Sequence, residues 1–328
     1  MCFAYQARTL MYSGTLKQKL SDLKHWIESV RKDSPLGFVL LKNGDVVAEW
    51  YSGSFSSVDL FEIGSIRKSF NSALIGIGIE RGQIDIQTKA CSVWPEIVDI
   101  GGQSEDKEIT LHQLASGISG WLTQDPPGSC FKYNNAAFTA AEKVVARIMN
   151  LPRDEIAPEI VRRFKIPLQA DSWEVYHFEV DFEPANVDIP GPKLAINSSV
   201  RDLAKWGQVW LNRGTWADQR LIPEAWVDRA TGPVNPNMKD NYYGYNWFIN
   251  IGRALWPAAP VDSYGHLGFG TFKSSGEESR AYLWVCPSLN CVAAVVTDAI
   301  VGFANDFLEV PHGITAELLG RIVTALER

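Results

Sequence analysis

Leu16, Leu20, Leu23, Ile27 and Val30 recur three or four positions apart and predict an amphipathic helix over 16–30. Strand-like runs follow at 37–41 and 46–51, with the hairpin-turn signal Asn43-Gly44 between them. A helix then starts at Ser65 and runs to about Glu80. Its Gly76, Gly78 and Gly82 have the wrong spacing for a dinucleotide loop and follow no strand, so they read as points of close helix packing. From about 91 to 240 the texture changes to short helical patterns broken by proline and glycine, as in Asp125-Pro126-Pro127-Gly128 and Ile189-Pro190-Gly191-Pro192. Two helices stand out there, 135–148 and 198/199 to 211, the second capped by serine with Asp202 in its first turn. Aromatic and β-branched strand signals return at 243–249, 281–285 and 291–296, and a last helix spans 313–326.

Strands at both ends around a helical middle predict an α+β fold, with one antiparallel sheet assembled from both chain ends and flanked by helices. The expected division is a sheet domain of 1–90 and 241–328, carrying a mainly helical inserted domain at 91–240.

Composition narrows the function. The 328 residues are 46% hydrophobic, enough for a sizeable core. A net charge of -7 argues against a nucleic-acid or anionic-membrane surface, so the expected partner is a small-molecule substrate; the sequence leaves the oligomeric state open. Residues 1–8 lack the charged start and apolar run of a signal peptide, and no stretch approaches the ~20 apolar residues of a spanning helix, so a cytoplasmic location is expected. The five cysteines at 2, 91, 130, 286 and 291 resemble no disulfide framework, and buried free thiols are expected; Cys286 and Cys291 face each other across a predicted hairpin without implying a bond. The five histidines at 25, 112, 177, 266 and 312 have no zinc-enzyme spacing, and neither metal nor cofactor is expected.

The candidate chemistry starts at Ser65-Ile66-Arg67-Lys68. A spacing of three at a helix start puts Lys68 on the face of Ser65, one turn on, with its side chain leaning back toward the N-terminus. The free N–H groups and positive dipole end of that turn favour an alkoxide on Ser65 and disfavour an ammonium on Lys68. Alone, the match fits an N-cap serine followed by a solvated lysine better than it fits a catalytic pair. Lysine is a poor base at neutral pH, so a third group must share the proton, and Tyr133 on the loop before the 135–148 helix is the candidate. Asn135, two residues on, is a candidate to hold a substrate amide or carbonyl; taken alone, Tyr133 also reads as a half-buried aromatic and Asn135 as the helix N-cap. The third element, Tyr264-Gly265-His266-Leu267-Gly268-Phe269-Gly270, is glycine-rich enough for a substrate to lie against backbone, and the N–H of Phe269 would join that of Ser65 in an oxyanion hole.

In this order and at these separations, the three segments resemble the serine β-lactamase and penicillin-binding protein superfamily. The closer match is the branch holding class C β-lactamases, D-alanyl-D-alanine carboxypeptidases and related esterases and amidases. The branch pattern S-x-x-K, Y-x-N and K-T-G or H-x-G reads here Ser65-Ile66-Arg67-Lys68, Tyr133-Asn134-Asn135 and His266-Leu267-Gly268. The flanks are similar as well: Ile109-Thr110-Leu111-His112-Gln113-Leu114 before Ser119-Gly120, Pro127-Gly128 before Phe131 and Tyr133, and Ser198 to Ala204. The resemblance implies a β-lactamase/transpeptidase-like fold and an acyl-forming nucleophile at Ser65. It also implies Lys68 and Tyr133 as general base and acid, Ser65 and Phe269 N–H groups as the oxyanion hole, and Asn135, His266 and Gly268 as substrate-binding positions.

Two departures matter. His266 stands where lactamases place lysine, and a mostly neutral imidazole attracts a substrate carboxylate less than an ammonium does. Gly117 replaces the family's usual histidine before Ser-Gly. The expectation is a cofactor-free serine hydrolase of a carboxylic ester or small amide. A D-amino-acid peptidase or weak β-lactamase, an acyltransferase, and a non-catalytic binding module of the same fold are the alternatives. Trp121 and Trp247 are candidates to line an apolar acyl pocket, or else core residues. No G-x-S-x-G elbow is present, since Gly117-Ile118-Ser119-Gly120-Trp121 fails at its last position.

Overall fold

A computed structural model describes residues 14–31, 34–123, 125–180, 191–234, 242–298 and 314–327. Cys2, His312 and the N-terminal octapeptide lie outside the described residues. The helices of twelve or more residues among those described are α1 (Gly14–Arg31), α2 (Lys68–Glu80), α3 (Asn135–Ile148), α4 (Val200–Leu211) and α5 (Ile314–Leu326). The strands of seven or more are β1 (Leu36–Lys42), β2 (Asp45–Ser52), β3 (Glu174–Val180), β4 (Gly191–Ser198), β5 (Tyr264–Thr271), β6 (Glu278–Cys286) and β7 (Cys291–Asp298). The described chain divides into two compact units, the first drawn from Met1–Ile66, Asn197–Leu211 and Asn250–Arg328, the second from Arg67–Ile196 and Asn212–Ile249.

The first unit is built on an antiparallel sheet in the order β2-β1-β7-β6-β5, so the two ends of the chain do meet in one sheet. Lys42 faces Asp45 across the first turn, and Asn43 and Gly44 both have positive φ, 55° and 84°. Such a turn has the type I′ form whose twist matches the strands it joins, which is why Asn-Gly stands there. On one face α4 lies close, for a Cβ on Gly207 would come within 2.5 Å of Val292 and 2.8 Å of Leu283. Trp284 and Val295 point to the other face and, with Leu318 and Leu319 of α5, line a small apolar cavity. Covered on both faces, β1 and β7 are buried along nearly their whole length and carry unbroken apolar runs rather than alternating ones. Lys19 Nζ donates to the carbonyls of Thr324 (3.0 Å) and Glu327 (2.7 Å), placing a cation on the C-terminal end of α5.

The second unit is organised around α2, whose residues 68–78 are all buried. Its glycines are packing points: a Cβ on Gly76 would lie 2.2 Å from the Trp226 indole, and one on Gly78 would lie 2.4 Å from Ile84. The Trp226 Nε1–H also donates to Ser72 Oγ at 3.3 Å, tying the helix Glu224–Ala230 to α2.

The middle of the chain is mainly helical and also holds two neighbouring strands, β3 and β4; the apolar, aromatic and β-branched residues of Glu174–Val180 carry that signal among the helical patterns around them. One expectation needs correction. The strand expected over 243–249 shrinks to Phe248–Ile249, because Asn246 takes φ 62° and Gly244 lies where a Cβ would stand 2.0 Å from the Ala230 carbonyl. The chain turns there instead of extending.

Candidate active site

In the first unit, a short strand Phe61–Glu62 pairs with Ser198 and Asn197 and leads into the 3-10 turn Gly64–Arg67 that carries Ser65. Gly64 has φ 53°, and a Cβ on it would stand 2.5 Å from the Phe269 nitrogen; a Cβ on Gly268 would stand 1.8 Å from the Ile63 carbonyl oxygen. Backbone therefore lies on backbone at this point, and only glycine fits on either side. Ser65 comes next in the chain, and it is the only residue from Ile63 to Gly78 that is not fully buried. His266 is 1% exposed, and its Nδ1–H donates to the Leu267 carbonyl at 2.6 Å. The Phe269 ring is exposed and lies under the Arg280 guanidinium, 4.1 Å from the ring centroid.

In the second unit, Lys68 is 1% exposed and donates through Nζ to Asn135 Oδ1 at 3.0 Å. The same Nζ lies 5.1 Å from the Tyr133 ring centroid and 5.5 Å from that of Phe138. Two asparagines divide the work at the start of α3. Asn134 is the N-cap, accepting from the Ala137 N–H at 3.2 Å and donating to the Trp121 carbonyl at 2.7 Å, which leaves the Asn135 side chain to meet Lys68. The Tyr133 ring stacks on Phe248 (5.8 Å, 10°) and stands edge-on to Tyr243 (6.0 Å, 88°). Burial, with Tyr133 alongside, holds the Tyr243 phenol well above its usual range.

Beside Lys68, the Arg67 guanidinium pairs with Glu142, both side chains being nearly inaccessible. Burial pushes the Glu142 carboxyl up, against the opposing pull of Arg67, Lys68 and Lys193. Asn135, Phe138 and Glu142 fall at i, i+3 and i+7 on α3, a single helix face.

The profile of the Beta-lactamase family matches residues 34–302. The chain belongs to that family. The 6-aminohexanoate-dimer hydrolase of Paenarthrobacter ureafaciens is 23% identical over 266 residues, covering 69% of this chain and 63% of that protein, so the match spans less than two-thirds of the relative's length. Among solved structures, a penicillin-binding protein homolog from Caulobacter crescentus superposes with a TM-score of 0.72 at 14% identity, over 95% of this chain and 98% of that one. A D-stereospecific amidohydrolase from Streptomyces sp. gives 0.63 at 17% identity, over 87% and 93%. The fold is that of the β-lactamases and transpeptidases, as the motif resemblance implied.

The sequence-predicted residues fall into two groups, Ser65, His266, Gly268 and Phe269 in the first unit and Lys68, Tyr133 and Asn135 in the second. Arg67 and Glu142 went unrecognised in the sequence, where each stands next to another charged residue, Lys68 and Lys143, and carries no local sign of burial. Trp121 and Trp247 are both fully buried, and Trp121 packs on Trp94 (5.8 Å, 74°) and donates to the Ile97 carbonyl, so they are core residues rather than pocket walls. Cys286 and Cys291 are buried and face each other in register as free thiols, whereas Cys91 and Cys130 are half-buried rather than buried. Among the described residues no group of His, Cys, Asp or Glu is placed to hold a metal ion, and no helix is long and apolar enough to cross a membrane.

Proposed function

We propose that the protein is a serine hydrolase that cleaves a small carboxylic amide or ester through an acyl-Ser65 intermediate. Ser65 Oγ attacks the substrate carbonyl while its proton passes to Lys68 and Tyr133. The developing oxyanion takes the N–H groups of Ser65 and Phe269. Tyr133 returns a proton to the leaving group, and water then hydrolyses the acyl ester, regenerating the Ser65 hydroxyl.

One observation carries this reading: Lys68 Nζ is buried on Asn135 Oδ1, 67 positions away in the chain, and over the Tyr133 ring. A solvated lysine behind an N-cap serine has no reason to be there. The amide preference draws support from the compared proteins, one a named amidohydrolase and the other a dimer hydrolase. His266 favours an uncharged substrate over a β-lactam or a peptide carboxylate, because it is buried and uses its Nδ1–H on a neighbouring carbonyl.

The test is intact-protein mass after brief incubation with p-nitrophenyl butyrate, a fluorophosphonate and a penicillin, on wild type and Ser65→Ala, with nitrophenol release followed in parallel. A fluorophosphonate adduct on wild type alone, with turnover falling on the order of 10⁴-fold or more in the variant, is the expected result. A penicillin adduct that clears quickly would favour the peptidase or lactamase alternative, and acyl transfer to an added amine outrunning hydrolysis would favour an acyltransferase. No adduct and no turnover with any probe leaves a binding module.

A further inference from the structure

A cavity of about 230 Å³ in the second unit is lined by the C-terminal end of α2, by the segment from Arg162 to Pro167, and by Gln219 to Pro223. Four arginines, Arg81, Arg162, Arg163 and Arg220, and a single carboxylate, Glu80, stand in its wall. Three of the arginines are held in place by hydrogen bonds to the protein. Arg162 forks onto Glu159 (3.2 and 2.6 Å), and Arg163 Nε–H donates to the same carboxylate at 2.5 Å. Arg220 donates to the carbonyls of Arg213 (2.8 Å) and Ile222 (3.4 Å).

Two arginines of the wall, Arg163 and Arg81, keep donors without a protein partner among the described residues. The Arg163 side chain is only 10% exposed, yet among the described residues its terminal N–H groups make no hydrogen bond. The Arg81 guanidinium has neither hydrogen bond nor ion pair among the described residues. The arginines here, with Arg213, outnumber the carboxylates that rim or pair with them, Glu80, Glu159, Glu224 and Asp228, by one charge. A positive concavity in a chain of net charge -7 is local design rather than bulk composition. Arg162 and Arg163 also lie on a π-helical turn, Val161–Lys165, a distortion that recurs at functional positions.

We propose that this cavity binds a small tetrahedral oxyanion, a phosphate group either free or carried on a small ester. The unpaired guanidinium donors of Arg81 and Arg163, with the charges of Arg162 and Arg220 beside them in the wall, suit a tetrahedral anion, whereas a planar carboxylate is satisfied by one fork. Lys68 begins α2 and the cavity lies at its other end, about 18 Å along the helix, so the site is separate from the proposed chemistry and does not rest on it.

The test is calorimetric titration of the full chain with phosphate, phenyl phosphate, sulfate and acetate at constant ionic strength, on wild type, Arg81→Ala and Arg163→Lys. Arg81 is exposed, so its replacement leaves folding intact, which an unchanged melting temperature without ligand verifies. Expected is one saturable site for phosphate in wild type, weakened about tenfold or more by Arg81→Ala through loss of a charge-assisted hydrogen bond, and weakened also by Arg163→Lys. Tighter binding of phenyl phosphate than phosphate would identify an ester as the ligand, and the reverse a free anion. The proposal is overturned if no saturable binding appears up to ~10 mM, if acetate binds as well as phosphate, or if both variants bind like wild type.

Discussion

Arg67 and Glu142, 75 positions apart in the chain, form an ion pair with only 5% and 6% of their side chains exposed. Arg67 immediately precedes Lys68, and Glu142 lies two turns beyond Asn135 on α3, so the pair braces the helices that present both residues. Removing one partner leaves the other buried without compensation. Glu142→Ala is expected to lower unfolding stability by about 3–5 kcal/mol, and Arg67→Met combined with Glu142→Leu to lose less than Glu142→Ala alone. Urea unfolding of the three variants measures this. A double variant no more stable than the single would mean that the two charges do not act as a pair.

The contact of Gly64 and Gly268 with the opposing backbone gives a second prediction. A methyl group at 268 would stand 1.8 Å from the Ile63 oxygen, so Gly268→Ala must push β5 away from the turn that carries Ser65. If the Phe269 N–H stabilises the oxyanion, fluorophosphonate labelling of Ser65 should slow by about 10²-fold or more at temperatures where the variant remains folded by circular dichroism. Labelling at the wild-type rate would remove Phe269 from the proposed oxyanion hole.

A third prediction concerns acid stability. His177 on β3 keeps its Nδ1 buried without a hydrogen bond among the described residues, and burial lowers its pKa to about 4. Unfolded, the ring takes up a proton near pH ~6.5, whereas in the folded protein it resists until about pH 4. Between those values the unfolded chain binds more protons, so stability falls as the pH drops through that window. Allowing for screening at a half-buried ring, the loss attributable to His177 is about 1–2 kcal/mol. His112, held low by burial and by Arg229, acts in the same sense. Urea unfolding at pH 7 and pH 4.5 should show a smaller difference for His177→Phe than for wild type; an equal difference would clear His177 of the effect.

Much of the scaffold was legible because its signals are local. The Asn43-Gly44 turn, the bounds of α3 and the serine cap of α4, where Ser199 Oγ accepts from the Asp202 N–H at 3.3 Å, each follow from a few adjacent residues. The two strands of the middle segment were missed for a related reason, since period-two alternation over seven residues is a weak signal beside proline-broken helical patterns. At the candidate site, the helix expected to start at Ser65 begins instead at Lys68, with Ser65 on the 3-10 turn Gly64–Arg67 before it, a distinction of hydrogen-bond pattern that residue spacing does not carry. That Asn134 rather than Asn135 would cap α3 was not legible, because either side chain satisfies the same local geometry.

By itself, then, the sequence determined which residue types stand at which helical and strand positions, and through three ordered motifs the family to which the chain belongs. Only the tertiary structure decided that Arg67 meets Glu142, that Trp121 and Trp247 fill the core, and that Arg81, Arg162, Arg163 and Arg220 converge on one cavity. The physical reason is that periodicity reports the face on which a side chain lies, whereas the partner of a buried or clustered charge depends on which distant face packs against it. That pairing is set by burial and charge compensation across the fold, and no local window of sequence contains it.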